Sequence, residues 1–153
     1  MAIERRTIFR DGVSRSFVAD VEIVADFVEP CSYCGVPCSG TTRIWYVASH
    51  TRKTFETDHG TLSGLMDALV REAIENDAYE SLPAFVRCAN EATGWATFLL
   101  EDGAVVSADD LLLAVNAMEA NNSDSRITSM LSAIRELVSA AIAGGHVLWA
   151  GST

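Results

Sequence analysis

The residues best suited to chemistry are Cys31, Cys34 and Cys38, in a stretch reading Glu29-Pro30-Cys31-Ser32-Tyr33-Cys34-Gly35-Val36-Pro37-Cys38-Ser39-Gly40. Two thiolates three residues apart, followed by a glycine that frees the turn, can aim both sulfurs at one metal ion. Cys38 supplies a third donor. For a fourth, the chain offers Cys88, His50 and His59. A strand leaving the cysteines from Thr42 would carry His50 ~26 Å away at ~3.3 Å per residue. A hairpin turn near His50-Thr51 then returns the chain, so that His59 falls opposite Thr42, close to Cys38. Cys88 needs a tertiary approach that the sequence does not dictate. The expected set is therefore Cys31, Cys34, Cys38 and His59 around a structural zinc ion, closed on all four sides and leaving no position for substrate.

The Cys31-x2-Cys34-Gly35 segment resembles a zinc knuckle and is similar to one half of a zinc ribbon, over 12 residues and without a second C-x2-C. Two other readings compete with metal binding. Isolated cysteines often behave as small core residues. A redox pair would want its first cysteine at a helix N-terminus, where the dipole lowers the thiol pKa, and Gly35 and Pro37 oppose a helix there. Nucleophilic catalysis by a cysteine needs a base beside the thiol, and nothing in the order of His50, His59 and His146 singles one out. Asp109-Asp110 looks like a carboxylate pair, but at a helix start it complements the dipole and caps amides. No phosphate-binding glycine loop and no Gly-x-Ser-x-Gly elbow occurs.

Several elements must hold these residues. Residues 3–10, the Asp11-Gly12 turn and an alternating stretch over 17–28 predict a hairpin. In that stretch Phe17, Ala19, Val21, Ile23, Ala25 and Phe27 are expected on one face. Residues 41–49 and 52–58 predict a second hairpin. Leu62, Leu65, Met66, Leu69, Val70, Ala73 and Ile74 recur at helical spacing and predict a core-facing stripe, opposite Asp67, Arg71, Glu72 and Glu75.

Residues 82–92 read as helix or strand, with a short helix capped by Ser81 preferred. Residues 95–100 and 104–106 predict another hairpin. Ser107 opens a helix through Ala120. Ser123 or Asp124 opens a last one, with Ile127, Met130, Leu131, Ile134, Leu137, Val138, Ala141 and Ile142 inward and Gly144-Gly145 as its stop. The expected fold is α+β: one domain over residues 1–153, a mainly antiparallel sheet packed in two layers against about four helices.

The chain's 153 residues suffice for a full core, and 49% of them are hydrophobic. The charged N-terminal residues do not read as a signal peptide, and the longest uninterrupted apolar runs fall far short of the ~20 residues that a bilayer requires. A cytoplasmic protein with no membrane partner is expected. The net charge of −10 is unevenly spread. Residues 1–53 carry seven basic and six acidic side chains, whereas residues 54–153 carry four and fifteen. Such a surface repels phosphate backbones and attracts basic proteins, so direct nucleic-acid binding is not expected.

In general character (small, α+β, strongly acidic, containing arginine but almost no lysine, without a catalytic motif) the chain looks like phage-encoded inhibitors such as anti-CRISPR proteins. The resemblance implies a non-catalytic inhibitor or adaptor that meets a basic protein or nucleoprotein complex through carboxylates; it carries over no residue. The helical period independently nominates Asp67, Glu72, Glu75, Asp109 and Glu119 as exposed, partner-binding carboxylates. The alternative is a small cysteine-dependent or zinc-containing enzyme using residues 31–38.

Overall fold

The structure is a computed structural model and describes residues 3–10, 13–37, 40–91 and 104–152. Among the described residues six strands form one open, mixed sheet in the order β1-β2-β4-β3-β6-β5. They are β1 (Ile3–Arg10), β2 (Val13–Phe27), β3 (Thr41–Ala48), β4 (Thr51–Asp58), β5 (Ala104–Val106) and β6 (Leu148–Ser152). Among the described residues four α-helices complete the α+β fold: α1 (His59–Glu75), α2 (Ala84–Glu91), α3 (Ala108–Ala120) and α4 (Ser125–Gly144). All neighbouring strands run antiparallel except β2 and β4, which are parallel. The expected Asp11-Gly12 turn and the strand expected over residues 95–100 lie outside the described residues.

The parallel pair explains where the cysteines go. Phe27 ends β2 opposite Thr57 of β4, and Thr41 starts β3 opposite Asp58 on β4's other side. The chain thus leaves β2 on one side of β4 and enters β3 on the other, two strand spacings of ~4.8 Å apart, and the described residues 28–37 and 40 lie at the C-terminal end of β4. His59, which begins α1, follows directly from that end.

Helices and sheet share one core. The sheet residues in it, Ile44, Phe55, Val106, Leu148 and Ala150, belong to a single face by register. From α4 come Met130, Leu131, Ile134, Leu137, Val138 and Ala141, all buried as expected. α4 is 20 residues long and holds an 18-residue window of mean hydropathy 1.3, long and apolar enough by length and composition alone to cross a bilayer, although Arg126, Arg135 and Glu136 keep its uninterrupted apolar runs short. Here its apolar side is packed into the core. Two residues leave their expected stripes: Ile74 is 62% exposed and Ile142 44%. Each sits in the last turn of its helix, beside a residue, Ala73 or Ala141, that remains buried.

Caps set the helix limits. Asp58 accepts from the Thr61 amide at 3.1 Å, Ser107 from Asp110 at 3.3 Å and Asp124 from Arg126 at 2.9 Å. The helix preferred over residues 82–92 is present, but Ser81 does not cap it. Ser81 ends a single 3-10 turn, Tyr79–Ser81, and the Pro83 carbonyl instead accepts the first helical bonds from Val86 and Arg87.

The expected alternation of β2 fails at one residue. Val21 pairs with Arg52 and Ile23 with Thr54, but Ala25 pairs with Phe55, leaving Val24 as a bulge. Thr54 and Phe55 face opposite sides of the sheet, so Ala25 and Phe27 join the helix side while Val21 and Ile23 do not. Phe27 stacks near Phe55 with ring centroids 5.9 Å apart. Val21 and Ile23 share the other face with Trp45, which lies parallel to Trp149 at 6.5 Å and beneath the Arg52 guanidinium at 3.7 Å.

Candidate functional site

The cysteine turn is closed by its own backbone. The Gly35 amide donates to the Cys31 carbonyl at 2.9 Å, and the Cys31 amide donates to Val36 at 3.0 Å. Gly35 adopts φ +72°, a left-handed conformation that a side chain would strain. Cys31 is half-buried and Cys34 exposed, its thiol donating to the Val36 carbonyl at 3.3 Å. Tyr33, at the turn's tip, is 98% exposed.

His59 stands at the same end of the sheet. Its amide donates to the Gly40 carbonyl at 2.9 Å, two residues beyond Cys38 in sequence, and its Nδ1 lies 2.9 Å from the Thr42 hydroxyl. Thr42 is fully buried. In the tautomer with a proton on Nδ1, that hydroxyl accepts and Nε2 becomes the ligating atom, the orientation that outer partners impose on metal-bound imidazoles. Partial burial holds the His59 pKa below its ordinary value, which favours the neutral, ligand-competent ring.

The competing donors are elsewhere. His50 occupies the two-residue β3–β4 turn at the opposite end, with φ +66° beside Ser49 at +50°. Cys88 is exposed on α2. Among the described residues, however, no three His, Cys, Asp or Glu side chains gather tightly enough to hold a metal. Cys31 and Cys34 share one turn and His59 stands at the same end of the sheet, but they are not drawn into one group. Cys38, the expected link, lies outside the described residues.

The nominated carboxylates divide into two kinds. Asp67, Glu72 and Glu75 are exposed on α1, and Asp109 is exposed in the first turn of α3. Glu119 departs from expectation: it is half-buried and paired with Arg135 of α4. Other basic side chains are similarly engaged. Arg43 meets Glu56 at 2.9 Å, Lys53 meets Glu22, Arg87 meets Glu80 at 3.5 Å and Arg126 meets Glu29 at 3.1 Å. Asp67, Glu72, Glu75 and Asp109 have no such cation among the described residues.

One feature beside these carboxylates was missed from sequence. Asp67, Ser63 and Asn90 rim a groove of about 160 Å³ between α1 and α2, floored by Met66, Val70, Val86 and Ala89. The signal was present in principle, as residues three and four apart on two consecutive helices, but it became visible only when the helices packed. The groove offers a carboxylate, a hydroxyl and an amide over an apolar floor, and no nucleophile–base pair.

Comparison with protein-family models, with curated proteins and with solved structures finds no match to this chain.

Proposed function

We propose that the protein is a non-catalytic, acidic interaction protein of the cytoplasm, an inhibitor or adaptor that binds a basic, nucleic-acid-binding protein in the manner of anti-CRISPR proteins. The observation that carries this reading is the division among the carboxylates. Five acidic side chains are matched internally by Arg43, Lys53, Arg87, Arg126 and Arg135. The exposed outer face of α1 carries Asp67, Glu72 and Glu75 outside any such ion pair among the described residues, with a single base, Arg71, on the same face. Unmatched carboxylates on one rigid helix can take the place of phosphates before a basic surface, and they speed encounter with it. The test is affinity capture from a lysate of the native cells, read by mass spectrometry. Wild type should enrich a basic protein that the triple variant Asp67→Lys/Glu72→Lys/Glu75→Lys loses. Equal enrichment by both would remove the proposal.

A second reading, structural zinc, is supported by the closed cysteine turn with its left-handed Gly35. The metal would be held by Cys31, Cys34, Cys38 and His59, and would tie the segment after β2 to the β3–β4 hairpin. Its role would be stability, since four protein ligands leave no open position. Metal analysis of His59→Ala and His50→Ala side by side tests it. Zinc should be present in the parent and in His50→Ala and lost from His59→Ala. Zinc lost from His50→Ala alone would contradict the ligand set, and a zinc-free parent would end the reading.

A further inference from the structure

The groove between α1 and α2 is built from one stripe of each helix. Ser63, Met66, Asp67 and Val70 follow at i, i+3, i+4 and i+7 on α1, and Val86, Ala89 and Asn90 at i, i+3 and i+4 on α2. Residues four apart on a helix have Cβ atoms about 5–6 Å from each other. Ser63 and Asp67 therefore stand close enough for one small group to touch both. Beneath them Met66, Val70, Val86 and Ala89 are buried and offer only carbon and sulfur.

The rim above that floor is made of acceptors. Asp67 is exposed and forms no ion pair among the described residues, not even with Arg71 one turn further along α1. Asn90 is oriented by its neighbours. The Tyr79 hydroxyl donates to Glu91 Oε1 at 3.0 Å, so its oxygen is left to accept from Asn90 Nδ2 at 3.2 Å. That network fixes which way the amide points and leaves Asn90 Oδ1 as the acceptor still open. Ser63 adds a hydroxyl, which accepts as readily as it donates. Acceptors around an apolar floor match a cation that carries a hydrocarbon stem. An ammonium turns three donors to three separate acceptors; the rigid guanidinium fork is suited instead to one bidentate carboxylate. Lysine lays its stem along apolar surface and keeps its charged end at the polar edge. We propose that the α1–α2 groove receives a lysine side chain of the basic protein partner, its methylenes over Met66, Val70, Val86 and Ala89 and its ammonium at Asp67, Ser63 and Asn90. The inference rests on the reading of the α1 face as a surface for a basic protein, and it adds a socket that a general acidic field lacks.

The test is a nuclear magnetic resonance titration of the full chain with Nα-acetyl-lysine amide, alongside its norleucine and arginine counterparts. The amide signals of Ser63, Asp67 and Asn90 should shift saturably with the lysine probe. Affinity should be about tenfold weaker for norleucine, which keeps the stem and lacks the charge. Asp67→Asn should weaken lysine binding by a similar factor, whereas Glu72→Gln and Glu75→Gln, outside the groove, should leave it unchanged. Absence of a saturable shift would overturn the proposal. So would equal affinity for lysine and norleucine, tighter binding of arginine, or an equal loss from Glu72→Gln. A second arm fills the groove without removing a carboxylate. Ser63→Leu, its fold checked by circular dichroism, should lose lysine binding and weaken capture of the basic partner. Full capture by a folded Ser63→Leu, with capture lost in Asp67→Lys/Glu72→Lys/Glu75→Lys, would sink the groove while the proposed function stands.

Discussion

His59 is the residue in which local structure and chemistry meet most closely. Its place was legible: the length of the 41–58 hairpin set it opposite Thr42, and the structure puts its Nδ1 2.9 Å from the Thr42 hydroxyl. That the ring would be partly desolvated was not legible, because it depends on tertiary packing around the end of β4. Desolvation lowers the folded-state pKa of His59 below its unfolded value of 6.5. Below about pH 6.5 the unfolded chain therefore binds more protons at this position than the folded one. Its contribution to stability is full above that pH and declines as the pH falls. Denaturant titrations from about pH 7.5 to 5 should show His59→Gln losing less stability over that interval than wild type; parallel curves would contradict the assignment. Glu119 shows the opposite case. The helical period exposed it, but its pairing with Arg135 spans 16 residues and two helices, which no local rule encodes.

Among the elements, those held by local chemistry were readable and those held by the sheet were not. Whereas the cap at Asp58, the last residue of β4, was not among the expected ones, helix starts at Ser107 and Asp124 follow from their side chains, as does the end of α4. There the His146 amide donates to Ala141 at 2.9 Å and the Gly145 amide to Ile142 at 3.1 Å, with Gly145 at φ +66°, closing the helix in a Schellman motif. The bulge at Val24 and the parallel pairing of β2 with β4 depend instead on strands distant in sequence. Two glycine substitutions distinguish backbone freedom from packing. A Cβ on Gly64 meets nothing within 4 Å in an exposed helix interior, so Gly64→Ala should stabilise by about 0.5–1 kcal/mol. A Cβ on Gly144 would fall 2.5 Å from the His146 ring, which stacks on Tyr46 at 5.2 Å. Gly144→Ala should destabilise by roughly 1–3 kcal/mol. Thermal melts of the pair should move in opposite directions. In α4, Ile134 is fully buried among Met130, Leu131, Leu137 and Val138, and Ile134→Asp should cost more than ~3 kcal/mol, a large share of a domain's ~5–15. An unchanged melting temperature would contradict the packing of that face.

At the scale of the whole molecule, the α+β class and the layering of helices on one sheet face could be read from hydrophobic periodicity, since both follow from which faces must be buried. Charge asymmetry was equally plain, but the internal matching of carboxylates was not: it required knowing which strands and helices adjoin. The fold turns a net charge of −10 into a specific arrangement, in which Arg43, Lys53, Arg87, Arg126 and Arg135 pair with carboxylates of the same molecule and the outer face of α1 exposes Asp67, Glu72 and Glu75 with one base, Arg71. The central claim is that this face binds a basic protein by electrostatics. Its most direct test is the salt dependence of affinity for the captured partner, measured for wild type and for Asp67→Lys/Glu72→Lys/Glu75→Lys. The account predicts a wild-type affinity that falls steeply as salt shortens the screening length below ~8 Å, and a weaker, nearly salt-independent affinity for the variant. Identical affinities at every salt concentration would contradict it.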